Sequence, residues 1–336
     1  MMKLYKFGPK KIVFLLFLSV SFFPALAWAT FDVIALGVYG GVKSDNLTSY
    51  LIKSDEQDLY LALDAGTTVT GVERAIKKGS FPELKSIDKQ KNNNQGYVLR
   101  NLIDSYWISH GHLDHVAGLI ISSPDDTHKN IYGSEVTLSY ISTNIFNWIT
   151  WPNMTDTGRP PRLGKLIFKP KPMDTPFTVG KTGLIGRMYP LNHGGYLSSM
   201  LLVSYKSDCF AFFGDTGTDF VQKSNELKGI WKLLSMKVRS NSLKGIIIET
   251  SYDNSVPDKY LFGHLTPRWL LRELKVLEEY SGGKGSLKGL SIVIGHMKPT
   301  LNKNNDPEKI IRSQLEAGND MGINFIFPLQ GERYKF

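Results

Sequence analysis

The sequence predicts a single α/β domain, and three observations carry that reading. The chain has 336 residues, 42% of them hydrophobic and 12% aromatic, enough to bury a sizeable core. Short runs rich in Val, Ile and Phe, bounded by turn signals, read as strands, and segments of helical period fall between several of them. No internal repeat or long linker divides the chain. Early hairpins followed by strand–helix alternation fit one mixed unit over residues 30–336.

Residues 1–29 precede that unit. Lys10-Lys11 closes a basic stretch, residues 12–25 form an apolar run, and Ala27-Trp28-Ala29 places small residues at −3 and −1 of a cut after Ala29. This order is expected of a secretory signal peptide, with Thr30 as the mature N-terminus. The apolar run is short for a bilayer span, and no cysteine follows it to carry a lipid. No later apolar run is long enough to cross a membrane. The expectation is a periplasmic or secreted protein with no stable membrane anchor. Cys209 is the one cysteine, so an internal disulfide and a Cys-based zinc finger are both excluded.

Runs 31–38, 48–52 and 59–63 read as early hairpins, with 105–109 following. Runs 185–189, 199–205 and 209–213 come next, with Lys206-Ser207-Asp208 as a hairpin turn. The last strands are 245–249, 291–294 and 324–327. Helical patterns occupy 71–78, 115–121, 134–146, 221–236, 266–280 and 307–317. Thr266 and Asp306 read as N-caps, and Pro267 and Pro307 sit in first turns, where a missing N–H costs nothing. Residues 80–96 form a Lys/Asn/Gln-rich loop, 122–130 a polar loop, and 150–176 a Pro-rich irregular stretch suited to a lid or wall. The formal charge is +9, but residues 1–29 contribute four lysines and no acid, leaving +5. The basic residues of the remainder are scattered, so no patch or stripe points to nucleic acid.

The chemistry lies in the histidines. Three of seven fall in His110-Gly111-His112-Leu113-Asp114-His115, after the strand Tyr106-Trp107-Ile108 and before a helix. In extended backbone residues i and i+2 point the same way, so His110 and His112 can grip one ion. Asp114 and His115, at the turn into the helix, can face a second. Imidazole and carboxylate donors suit Zn²⁺, with Mn²⁺ or Fe as alternatives. One arrangement recurs further on: an apolar strand leads to His193, another to Asp215 and another to His296. Open α/β sheets place their chemistry at such strand ends. His128, in a polar loop, reads as solvated.

His-x-His-x-Asp-His, then a distant His, an Asp after a strand and a final His, resembles the metallo-β-lactamase superfamily. The turn Leu63-Asp64-Ala65-Gly66-Thr67 matches too. The run from His110 to Ile120 narrows the resemblance to the class II cyclic nucleotide phosphodiesterases. It continues through Asn46–Leu51, Phe213-Gly214-Asp215-Thr216-Gly217, Glu249-Thr250-Ser251-Tyr252, Gly263-His264-Leu265 and Gly295-His296-Met297-Lys298-Pro299. It thus spans nearly the whole chain after residue 30. The resemblance implies a four-layer αββα sandwich. It also implies two divalent metal ions, zinc foremost: one held by His110, His112 and His193, the other by Asp114, His115 and His296, with Asp215 bridging.

The activity implied is hydrolysis of 3′,5′-cyclic nucleotides, cAMP foremost, to nucleoside 5′-monophosphates. A hydroxide shared by the two metals attacks phosphorus, and Asp114 accepts a hydrogen bond from the attacking water. His264, charged and oriented by Glu249, is the expected general acid for the leaving 3′ oxygen. Glu249 and His264 together resemble the Glu–His pair of ribonuclease Z enzymes. They favour phosphodiester chemistry over the lactam, thioester and other hydrolyses of the superfamily. Asn46, His264 and Tyr252, with Trp148 and Trp151, are the candidate substrate contacts. The oligomeric state is open, a dimer among the options.

Overall fold

The computed structural model describes residues 3–4, 30–86, 93–303 and 306–336. The expected export signal, apart from Lys3 and Leu4, and residues 87–92 of the Lys/Asn/Gln-rich loop lie outside the described residues. Two seven-stranded mixed sheets face each other between two layers of helices. In the first half of the chain β1 (Phe31–Gly37), β2 (Ser49–Ser54) and β3 (Tyr60–Leu63) run antiparallel. β4 (Ile103–Trp107), β5 (Lys129–Gly133) and β6 (Leu166–Pro170) follow in parallel. The second half repeats the plan. β7 (Phe177–Thr178), β8 (Ile185–His193), β9 (Tyr196–Tyr205) and β10 (Asp208–Phe213) run antiparallel, then β11 (Leu243–Glu249), β12 (Ser291–Gly295) and β13 (Asn324–Ile326) run parallel. β14 (Arg333–Lys335) crosses back to pair with β1. The helices are α1 (Val69–Lys77), α2 (Asn94–Tyr97), α3 (Leu113–Ser122), α4 (Glu135–Asn144), α5 (Asp219–Gln222), α6 (Glu226–Arg239), α7 (Pro267–Ser281) and α8 (Pro307–Ala317).

Strands covered on both faces must be apolar throughout, which is why several read as unbroken runs. In β11, Ile246 and Ile248 pack with Trp231, Leu234, Leu270 and Leu274 of α6 and α7, while Ile247 joins the core between the sheets. In β1, Ile34 and Leu36 face Val72 and Ala75 of α1, while Phe31 and Val33 face the other sheet. Trp107 and Tyr50 each meet Phe212 edge-on, with ring centroids 5.9 Å apart in both pairs. Each such side chain, fully buried, contributes about 1.5–3 kcal/mol.

Several features differ from the sequence reading. The polar loop 122–130 ends in β5, because Lys129 turns inward and its ammonium bonds the Arg100 and Ile103 carbonyls beside Asp126. The Pro-rich stretch 150–176 contains β6, the edge strand of the first sheet. The helix expected over 221–236 is broken at Lys223, in the left-handed region at φ 52°, and Asp219 restarts it by accepting from the Leu227 and Lys228 amides. Thr266 occupies the N-cap position of α7 but its hydroxyl makes no capping bond. Asp306 does cap α8, accepting from the Lys309 amide at 3.2 Å. No described helix is long and apolar enough to cross a membrane.

Candidate metal centre

Six of the seven histidines, all but His128, meet at one edge of the two sheets. His110 follows β4, His112 and His115 lie at the start of α3, His193 ends β8, His296 follows β12, His264 lies in the loop after β11, and Asp215 follows β10. His110, His112, His193 and Asp215 bring ligand atoms within 4.8 Å of one another, and so do Asp114, His115 and His296. Asp215 lies between the two groups. Its Oδ1 is 3.3 Å from His115 Nε2, and its Oδ2 is 3.3 Å from His296 Nε2 and 3.8 Å from both His110 Nε2 and His193 Nε2. Asp114 Oδ2 is 3.2 Å from His296 Nε2 and accepts from the Gly41 amide at 3.1 Å. Gly40 passes so close that a Cβ there would fall 2.3 Å from the His296 ring.

The backbone and the rear of each ring explain the aim. Asp64 ends β3 in the left-handed region at φ 54°, which a short polar side chain tolerates. Its carboxylate accepts from the Ser109 amide and hydroxyl at 2.7 and 2.8 Å and from His115 Nδ1 at 2.7 Å. His110 Nδ1 lies 3.0 Å from Ser109 Oγ, and His193 Nδ1 donates to the Gly263 carbonyl at 2.9 Å. Ser251 Oγ donates to Glu249 Oε2 at 2.6 Å and accepts from His296 Nδ1 at 3.0 Å. With Nδ1 committed, Nε2 of each ring faces the centre. Gly263 must be glycine: φ is 82°, and a Cβ would sit 2.1 Å from the Gly194 amide nitrogen.

The electrostatics suit a cation. Burial, reinforced by the His115 imidazole, holds His110 well below the usual imidazole range, and burial pushes His193 down to about 4. Burial opposes charge on Asp215 and Asp114, but the surrounding imidazoles outweigh it and hold both carboxyls below their ordinary range. On His115 burial is outweighed by the Asp215 and Asp64 carboxylates, which raise it well above the ordinary value. Two carboxylates thus face one buried imidazole, and a metal ion there would balance part of their charge. Among the described residues, buried Nε2 of His110 and Nε2 of His115 have no hydrogen-bond partner. Buried polar atoms are rarely left so, and coordination accounts for both. The residues present therefore fit a divalent metal.

His264 also lies within reach of Asp215 and His296, but its ring nitrogens are taken. Nδ1 is 2.8 Å from Glu249 Oε1, and Nε2 is 2.9 Å from Lys298 Nζ. Tyr252 stands edge-on to the His264 ring, centroids 5.7 Å apart. Asn46 lies in the loop that carries Gly40 past His296, and its amide oxygen accepts from the Val38 amide at 3.0 Å. The Trp148 indole donates to the Pro161 carbonyl, and Trp151 packs against the first-sheet core. His128 is exposed. Asp64, Ser251, Lys298 and Tyr196 have no assigned role in the sequence reading. The first three lie inside motifs that reading quotes. Tyr196, exposed beside Gly195, stands 5.6 Å from the His112 ring and had no signal.

The sandwich and its histidine-rich edge define a protein of the metallo-β-lactamase fold. The crystal structure of unliganded yeast PDE1 superposes with a TM-score of 0.82 at 22% identity, covering 92% of this chain and all of that one. The metallo-β-lactamase fold protein YhfI from Bacillus subtilis gives 0.60 at 15% identity, covering 91% and 99%. The model of the class-II cAMP phosphodiesterases matches residues 29–331, and the chain belongs to that family of enzymes. It is 51% identical to a probable 3′,5′-cyclic-nucleotide phosphodiesterase of Yersinia pestis over 95% of this chain and 93% of that protein. It is 44% identical to the 3′,5′-cyclic-nucleotide phosphodiesterase of Aliivibrio fischeri over 98% and 100%.

Proposed function

We propose that this phosphodiesterase opens 3′,5′-cAMP to 5′-AMP at a site for two zinc ions, and that it does so outside the cytoplasm after losing residues 1–29. The observation that carries the reading is the convergence of six ligand side chains around Asp215, with His110 Nε2 and His115 Nε2 buried without a hydrogen-bond partner among the described residues. His110, His112 and His193 would hold one ion, and Asp114, His115 and His296 the other, with Asp215 reaching both. An all-imidazole and carboxylate donor set suits zinc. When bound, the ions supply a water made nucleophilic near neutral pH and positive charge for the phosphate oxygens.

The chain's own residues do the rest. Asp114 keeps its carboxylate ionised beside the Gly41 amide and accepts a hydrogen bond from the attacking water. Glu249, His264 and the residues behind them serve the leaving 3′ oxygen on the far flank of Asp215. Tyr252 and Asn46, from the loops after β11 and β1, contact the nucleotide. The family description supports cAMP as substrate, and the Ala27-Trp28-Ala29 pattern supports export.

The test is to incubate the purified protein with 3′,5′-cAMP, 3′,5′-cGMP, 2′,3′-cyclic AMP and a chromogenic lactam. The expected result is 5′-AMP as the fastest-formed product. A 3′-monophosphate, or faster turnover of the lactam, overturns the reading. Sequencing the exported protein should find Thr30 first, and an active protein that retains Met1 refutes the cleavage.

A further inference from the structure

We infer that the cation meeting the leaving 3′ oxygen is the ammonium of Lys298, with His264 as the residue that positions it. This rests on the dinuclear reading above and deepens it. Lys298 leaves β12 two residues after His296, and its amide donates to the Ser251 carbonyl at 3.0 Å. Its Nζ lies 2.9 Å from His264 Nε2 and 5.6 Å from the centre of the Tyr252 ring.

The other end of His264 decides what that contact is. Nδ1 stands 2.8 Å from Glu249 Oε1, so Nδ1 carries the hydrogen and donates to the carboxylate. Nε2 then presents a lone pair and accepts from the ammonium. Lys298 Nζ therefore occupies the position at Nε2 from which His264 would have met the leaving oxygen.

Lys298 is half-buried, and among the described residues no carboxylate forms an ion pair with it; its partners are a ring nitrogen and an aromatic face. An ammonium held by one ring nitrogen and one aromatic face keeps N–H donors for an anionic oxygen. The His264 ring joins it to the centre: Nδ1 is 3.8 Å from Asp215 Oδ2, and the ring stacks on His296 with centroids 5.3 Å apart. A phosphodiester anion drawn to metal ions held by Asp215 and His296 would have Lys298 on its His264 side.

In the step assigned, water oxygen forms a bond to phosphorus and the P–O3′ bond breaks, its electron pair passing to O3′. The Lys298 N–H donates a hydrogen bond to that developing charge. The proton lost by the water passes to solvent, and solvent returns one to O3′, so diester plus water gives the 5′-monophosphate and a free 3′ hydroxyl.

The experiment compares Lys298→Met, Lys298→Arg and His264→Ala with wild type on 3′,5′-cAMP and on bis(4-nitrophenyl) phosphate, whose leaving group needs no help. Metal content is measured on each protein. Lys298→Met should lose about 10²–10³-fold in kcat on cAMP, with KM changed far less. On the nitrophenyl ester it should lose under about tenfold, and its metal content should match wild type. Lys298→Arg, which keeps the charge, should recover part of the cAMP rate. His264→Ala should show the same substrate dependence more weakly. The assignment is overturned if Lys298→Met turns over cAMP at the wild-type rate, if its losses on the two substrates are equal, if it loses metal, or if His264→Ala is the more impaired on cAMP. Wild type inactive on cAMP would instead overturn the proposed function, and this inference with it.

Discussion

β4 and the strands of the second half end at the same centre but deliver their ligands differently. After β4, four candidate ligands, His110, His112, Asp114 and His115, come from six consecutive residues at the start of α3. In the second half His193, Asp215 and His296 arrive singly, each at or just past the end of its own strand. Their rear supports differ as well. Asp64 holds His115 directly and, through Ser109, backs His110, whereas the second half spreads the work over the Gly263 carbonyl, Ser251 and Glu249. The first half is thus a local motif that one loop can shape. The second half exists as a site only because the sheet aligns β8, β10 and β12.

Asp215 stands between the two halves, and its loss should have the largest effect. Asp215→Ala removes a carboxylate that faces imidazoles of both groups. Metal should fall from near two ions per chain toward none, and cAMP turnover by roughly 10³-fold or more, read by elemental analysis and product assay. An Asp215→Ala protein with two bound ions breaks the account of the two halves.

His110→Ala and His296→Ala sharpen it next. Each should cost about one ion per chain and leave the other, with an activity loss on the order of 10²-fold for each. Loss of both ions from either variant would mean that the halves do not bind separately.

The supports come third. Asp64→Asn and Ser251→Ala leave every ligand in place, and each should weaken metal affinity by about 10–100-fold in chelator competition. Asp64→Asn should weaken it more, because one carboxylate backs two ligand positions. The reverse order would contradict the contrast drawn between the halves.

His128→Ala should do least: thermal stability within about 0.5 kcal/mol of wild type, and metal content unchanged, since His128 is exposed and outside the cluster.

The same contrast governs what could be read without coordinates. The first-half cluster is legible because its ligands are neighbours in sequence, and the short apolar runs marked most of the described strands within two or three residues. His193, Asp215 and His296 were legible only as one pattern repeated at strand ends. β5 was hidden because Lys129 is a buried cation satisfied by carbonyls remote in sequence. β6 was hidden because an edge strand lies among prolines. The break at Lys223 was hidden because Asp219 caps α6 from the preceding turn. The Lys298–His264 contact depends on two loops meeting across the second sheet, and no local pattern encodes it.

Metal stoichiometry measured together with turnover tests the central claim most directly. The purified protein should hold close to two divalent ions per chain, mainly zinc. Stripping them with a chelator should abolish cAMP hydrolysis, and adding zinc back should restore activity in step with occupancy. A stripped protein that still converts cAMP to 5′-AMP at the untreated rate would contradict it.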